Sequence, residues 1–81
     1  MLINVNVRTM KDAERLSQIC KDYEAELLLR GKDRFCADPK STLGIFAIMY
    51  SARDDMKLDT ADMSDSELPG FIHRIEDYIK N

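Results

Sequence analysis

Few side chains in this sequence could do chemistry, so each can be weighed in turn. The one histidine, His73, lies between Ile72 and Arg74 within a segment of helical periodicity and off its apolar stripe. A mid-helix position leaves no free backbone N–H groups beside the ring to hold an anion, so His73 reads as a solvent-facing surface residue. The two cysteines, Cys20 and Cys36, stand sixteen positions apart with no C-x-x-C spacing. They read as a buried pair of reduced thiols, which fits the cytoplasm; a zinc site would need further ligands. The acids Asp54, Asp55, Asp59, Asp62, Asp65 and Glu67 crowd one stretch. Their spacing does not follow a calcium loop and no glycine sits at the sharp turn, so no metal is expected. Those near Ser64 favour a helix start instead. Ser41 precedes an apolar run and suits a helix N-cap, worth about 1 kcal/mol. The chain therefore carries no residue set able to catalyse a reaction alone, and neither a cofactor nor a metal is expected.

The elements that must position these residues follow from periodicity. Leu2 to Val7 alternates apolar and polar, with Ile3, Val5 and Val7 on one face, which predicts a half-buried strand. Thr9 is an N-cap three residues before Asp12. Ala13, Leu16, Ile19, Cys20 and Tyr23 then recur at helical spacing, opposite Lys11, Glu14, Arg15, Gln18, Lys21 and Asp22. Glu26 to Arg30, the turn Gly31-Lys32-Asp33, and Arg34 to Asp38 before Pro39 read as strand, turn, strand. A short helix follows Ser41, and Met56 to Thr60 alternates again as a fourth strand. Leu68, Phe71, Ile72, Ile75 and Ile79 form the stripe of a third helix. Its start is marked by Ser64 with Glu67 as a capping box, or by Ser66 if Pro69 is to avoid the interior.

The predicted order is β-α-β-β-α-β-α, an α+β domain spanning residues 1–81. Alternating strands need only one covered face, so the helices belong together on one side of a four-stranded antiparallel sheet, an open-faced β-sandwich. At 81 residues, with 44% apolar and 33% charged side chains, the composition is that of one folded domain. A chain of this size buries only about 60–65% of its unfolded surface, leaving little core to spare for a cofactor cavity. The net charge is −3, and the bases are interleaved with acids. No basic stripe forms, so nucleic acid is not an expected partner. The longest apolar runs are far below the roughly 20 residues that span a bilayer, and the alternating N-terminus lacks a signal peptide's basic region. A cytoplasmic protein without membrane insertion is expected.

One stretch resists this picture. Leu43-Gly44-Ile45-Phe46-Ala47-Ile48-Met49-Tyr50 is apolar nearly all round. At about 100° per residue, Leu43, Phe46 and Ala47 point one way while Ile45, Ile48 and Met49 point the other. A short helix on a sheet buries one group, and an exposed apolar cluster marks a contact surface; irregular packing that buries both is the alternative.

Asp38-Pro39-Lys40-Ser41-Thr42-Leu43-Gly44-Ile45-Phe46 resembles the K-S-x-x-G segment opening the second helix of HPr, the histidine-containing phosphocarrier of the bacterial sugar phosphotransferase system. Element order, length and motif placement match over essentially the whole chain. The resemblance implies that Ser41 is a regulatory serine, phosphorylated by an ATP-dependent kinase. It implies that Thr42, Leu43 and Phe46 form an exposed docking patch for enzyme I and other partners, with Ile45 and Ile48 in the core. Lys40 adds charge beside Ser41. On the outer side of the first helix Met10, Lys11 and Glu14 extend the docking set.

The family's phosphoryl acceptor is a histidine before the first helix, followed by Ala, Arg and Pro. Here the segment is Val7-Arg8-Thr9-Met10-Lys11-Asp12, with Thr9 at the histidine position and Lys11 near the arginine position. A threonine hydroxyl is not nucleophilic near neutral pH without an activating base. The expectation is thus an HPr-related regulatory or docking module without histidine phosphotransfer, whose partners are enzyme I, a serine kinase or a transcriptional regulator. Two alternatives stand beside it: a phosphocarrier with a non-standard acceptor, and a structural domain that forms a homodimer through the Leu43/Phe46 patch.

Overall fold

The computed structural model describes every residue except Asp33, Ala52, Arg53, Asp54 and Asn81. The elements are β1 (Leu2–Val5), α1 (Met10–Lys21), β2 (Leu28–Arg30), β3 (Cys36–Ala37), α2 (Thr42–Ser51), β4 (Met56–Asp59) and α3 (Leu68–Arg74), with a closing 3₁₀ turn, Glu76–Tyr78. The strands form one antiparallel sheet in the order β1-β4-β2-β3. The α+β architecture of four antiparallel strands and three helices is as the periodicity predicts.

Register explains why one sheet face is covered. Ile3 and Leu29 both pair with Leu58, and Val5 pairs with Met56; all five are buried. Their neighbours Leu2, Asn4, Leu28, Arg30 and Lys57 are exposed, because successive side chains point to opposite faces. The covered face meets Ala13, Leu16, Ile19 and Cys20 of α1, Ile45 and Ile48 of α2, and Phe71 of α3 in one core. α3 is tied to the end of α1: the Tyr23 and Phe71 rings meet edge to face with centroids 5.0 Å apart, and Arg74 lies over the Tyr23 ring while pairing with Asp22 at 2.8 Å.

Several local expectations change. Cys20 is buried, but Cys36 is exposed. Cys36 pairs with Arg30 and faces outward, whereas its neighbour Ala37 pairs with Leu29 toward the helices. The last helix stops at Arg74, and Ile79 leaves the helical stripe to bridge Val5. The outer edge of β1 drives this: Asn6 N–H donates to Tyr78 O at 2.6 Å and Lys80 N–H to Asn4 O at 2.8 Å, satisfying edge groups.

Neither serine cap of α3 forms. Ser64 O already accepts from Glu67 and Leu68 N–H, so Glu67 is helical when the helix starts; the Ser64 hydroxyl donates to its carboxylate at 2.9 Å. Strands are shorter at their ends than the pattern suggests. Glu26, for instance, is drawn to Asp62, whose Oδ2 accepts its N–H at 2.8 Å. The β2–β3 turn is closed by Gly31 N–H to Phe35 O, and Arg34 takes a left-handed φ of 66°; Asp33 of that turn lies outside the described residues.

Candidate docking site

The start of α2 is tightly built. Asp38 Oδ1 accepts from Lys40 N–H at 2.9 Å, curling the backbone into an Asx turn, and Asp38 O accepts from Ser41 N–H at 2.9 Å. Ser41 then caps the helix: its Oγ accepts from Gly44 N–H at 3.2 Å, and its carbonyl accepts from Ile45 N–H at 3.1 Å. Pro39 beneath this turn is buried. From α1, the fully buried Ser17 hydroxyl donates to Lys40 O at 2.9 Å, fastening the turn to the neighbouring helix. Ser41 itself remains exposed, as does Leu43 two residues on.

Gly44 is what lets the helix start so close. A Cβ there would lie 3.0 Å from Asp38 O and 3.3 Å from the Ala37 Cβ. The glycine of the motif is thus a packing requirement, set by the approach of α2 to the chain leaving β3.

The apolar segment divides by helical phase. Ile45 and Ile48 are wholly buried, with Met49 packed against the core beside them. Leu43 is 78% exposed and Tyr50 90%, with Ala47 exposed between them. Phe46 corrects the expectation: it is half-buried and packs on the core. At about 100° per residue it sits about 60° round from Leu43, on the flank of the helix, and its ring is long enough to fold inward. The outer stripe therefore runs Leu43, Ala47, Tyr50, with Phe46 at its border. Tyr50 escaped the sequence reading although its i+7 relation to Leu43 was visible. Ser17 escaped too, although it falls one turn after Ala13 on the apolar face.

At the start of α1, Thr9 is the N-cap. Its Oγ1 accepts from Asp12 N–H at 3.1 Å, and Asp12 Oδ2 lies 3.4 Å from Arg8 N as acceptor. Met10 is 64% exposed, and Lys11 and Glu14 are exposed with it. Since Lys40 meets α1 at Ser17, seven residues or about 10 Å beyond Met10, the candidates form two clusters on neighbouring helices. One comprises Lys40 to Leu43 and the other Met10 to Glu14.

The remaining reactive groups stand apart. Cys20 lies inside the core, and burial pushes its thiol up to about 12, with nearby Lys40 opposing the rise. His73 is exposed, with Nδ1 3.4 Å from Glu76. Of the acids, Asp59 is engaged by Ala61 N–H at 3.0 Å and by Arg30 at 2.9 Å, and these hold its carboxyl below the usual aspartate value. Asp54 lies outside the described residues. Among the described residues no three His, Cys, Asp or Glu side chains gather to hold a metal, and no helix is long and apolar enough to cross a membrane. Compared with protein-family models, curated proteins and solved structures, the chain matches none of them.

Proposed function

We propose that this protein is an HPr-related docking module of the bacterial phosphoenolpyruvate-dependent sugar phosphotransferase system, cytoplasmic, acting without histidine phosphotransfer. The observation that carries the reading is the start of α2, where the exposed Ser41, capping the helix, and a 78% exposed Leu43 stand together on a hydrogen-bonded turn. A partner can bury the leucine and read the charge state of the serine in one contact. Leu43 supplies hydrophobic contact, and phosphorylation would add about −1.5 to −2 charge beside it. That phosphate would stand at a helix N-terminus next to Lys40, where free N–H groups and the helix dipole favour anions. At α1, Thr9 caps its helix as Ser41 caps α2, and such an alcohol takes phosphate where a kinase supplies the general base, which direct transfer from a phosphoenzyme does not.

The test has two arms. Incubation with enzyme I and labelled phosphoenolpyruvate should leave the protein unlabelled; an acid-labile label would overturn the loss of the carrier step. Incubation with ATP and the family's serine kinase should add one phosphate, located by mass spectrometry at Ser41 and absent in Ser41→Ala. Leu43→Asp should slow that modification while leaving the circular dichroism spectrum unchanged. Failure of the kinase to modify the wild type would remove Ser41 from the proposal.

A further inference from the structure

The helices cover one side of the sheet, and the side they leave open gathers its charge from segments far apart in the chain. Across its middle runs one ladder row, Asn4, Lys57, Arg30 and Cys36. Lys80, whose N–H donates to Asn4 O, extends the row beyond β1. At one end Asn6 points the same way, set between the buried Val5 and Val7. Its amide, with the oxygen turned toward Arg8, accepts from Arg8 Nε at 3.0 Å and Nη2 at 3.1 Å. At the other end Leu2 and Leu28, 55% and 41% exposed, flank Asp59. We propose that this face docks an acidic segment of a partner protein, with carboxylates on Lys57 and Arg8 and apolar side chains on Leu2 and Leu28.

Charge segregation carries the inference. By alternation along the strand, Asp55 and Asp59 share the side of Lys57. The face thus holds four bases, Arg8, Arg30, Lys57 and Lys80, and two acids, whereas the rest of the described chain holds seven bases and eleven acids. A solvated outer face needs polar residues, but not an excess of the sign opposite to the protein's own net charge of −3. Lys57 sharpens the point. It stands directly opposite Arg30, and like charges across a ladder destabilise a sheet. Arg30 turns away to Asp59 at 2.9 Å, while Lys57 has no ion pair among the described residues. A cation kept at the centre of the sheet with no gain to folding is complemented by an anion from outside.

The surrounding chemistry selects the occupant. No aromatic ring stands among these residues to stack a base, as sheet platforms for single-stranded nucleic acid require. A bilayer anchor sinks its apolar face about 5–10 Å deep, which two half-exposed leucines beside longer bases do not supply. A second copy offers acids on its helical side, but that contact joins unlike surfaces and does not close into a dimer. An acidic polypeptide meets both rows at once: they lie about 6.6 Å apart along the strands, near the 5.4 Å rise of one helical turn. The face spans about 20 Å across the strands and about 13 Å along them, so the contact is small, transient and sensitive to salt. It is independent of the phosphotransferase reading, whose residues lie on the helical side of the sheet.

An NMR titration of the full, isotope-labelled chain tests it. The probe is a peptide of about 15 residues built from Glu, Ala and Leu, with its leucines on one helical face. Amides of β1, β4 and β2 should shift more than those of the helices, with a Kd of about 0.1–1 mM at low salt. Raising salt from about 20 to about 200 mM should weaken binding about tenfold. Lys57→Glu should weaken it about tenfold or more with an unchanged circular dichroism spectrum, and Arg8→Gln, outside the sheet, about threefold. Lys21→Gln, which removes a base from the helical side, should change nothing. The proposal is overturned by an absence of shifts up to about 2 mM peptide, by shifts on the helices instead, or by a Lys57→Glu protein that binds like the wild type. Equal binding of a peptide with Lys in place of Glu overturns it too, as does tighter binding of poly-dT or of phosphatidylserine vesicles. A mass that rises with concentration in the wild type but not in Lys57→Glu would give the face to a second copy and end the proposal.

Discussion

Two helical glycines, Gly44 and Gly70, invite the same substitution with opposite outcomes. Alanine in place of glycine in a helix gains up to about 1 kcal/mol, because the unfolded chain has less freedom to lose. At Gly70 nothing lies within 4 Å of the added methyl group, so Gly70→Ala should collect most of that gain. At Gly44 the methyl meets the Asp38 carbonyl at 3.0 Å and the Ala37 methyl at 3.3 Å. The carbonyl is backbone, fixed by its bond to Ser41 N–H, and the turn behind it is held by Ser17 and Asp38. Overpacking at such a site costs about 1–3 kcal/mol, which exceeds the propensity gain. Gly44→Ala should therefore be less stable than the wild type by up to about 2 kcal/mol, and the two variants should differ by the overpacking cost, about 1–3 kcal/mol. Urea denaturation reads this directly: with a slope near 1 kcal/mol/M for so small a domain, the midpoints should separate by about 1–3 M. A Gly44→Ala protein as stabilised as Gly70→Ala would show that α2 does not start against the β3 exit, and the geometry around Ser41 would fall with it.

Other consequences concern individual groups. In the folded protein a thiol reagent should titrate one cysteine, the exposed Cys36, and a second only after unfolding; rapid reaction of both would place Cys20 outside the core. Because burial raises the Cys20 thiol from 9.0 to about 12, its contribution to stability is full below pH 9 and is lost as pH rises toward 12, where the unfolded chain gains thiolate first. Cys20→Ala should lessen that alkaline loss in urea midpoints measured against pH. Asp59 behaves oppositely, since its carboxyl is held low by Ala61 N–H and then by Arg30. Its contribution is present above the usual aspartate value of about 3.9 and falls away as pH drops through the lowered folded-state value, so Asp59→Asn should flatten the acid limb. Ser17→Ala removes the donor to Lys40 O and should cost about 1 kcal/mol. It should also speed hydrogen exchange at Ser41 and Gly44; unchanged exchange would show that the turn holds itself without α1.

The sequence alone determined the elements whose pattern is dense and local. Period two in Ile3, Val5, Met56 and Leu58 and period 3.6 in Ala13, Leu16 and Cys20 each name a face. A face that must be buried fixes both the element and its side of the sheet, because neither period tolerates a slip. Thr9 and Ser41 were legible as caps for the same reason: the partner of each hydroxyl is an N–H three residues on. What tertiary structure decided were the contacts between residues far apart in the chain. Ile79 has helical spacing, yet the open edge of β1 draws it into a bridge with Val5. Cys36 has an apolar character, yet pairing with Arg30 turns it outward. Phe46 shares a helical side with Leu43, yet the neighbouring core gives its ring somewhere to fold. Nor does the identity of Gly44 disclose its purpose, which rests on a carbonyl six residues earlier brought back to 3.0 Å by the turn between them. Periodicity records which way a side chain points. Only the packed chain supplies what it meets there.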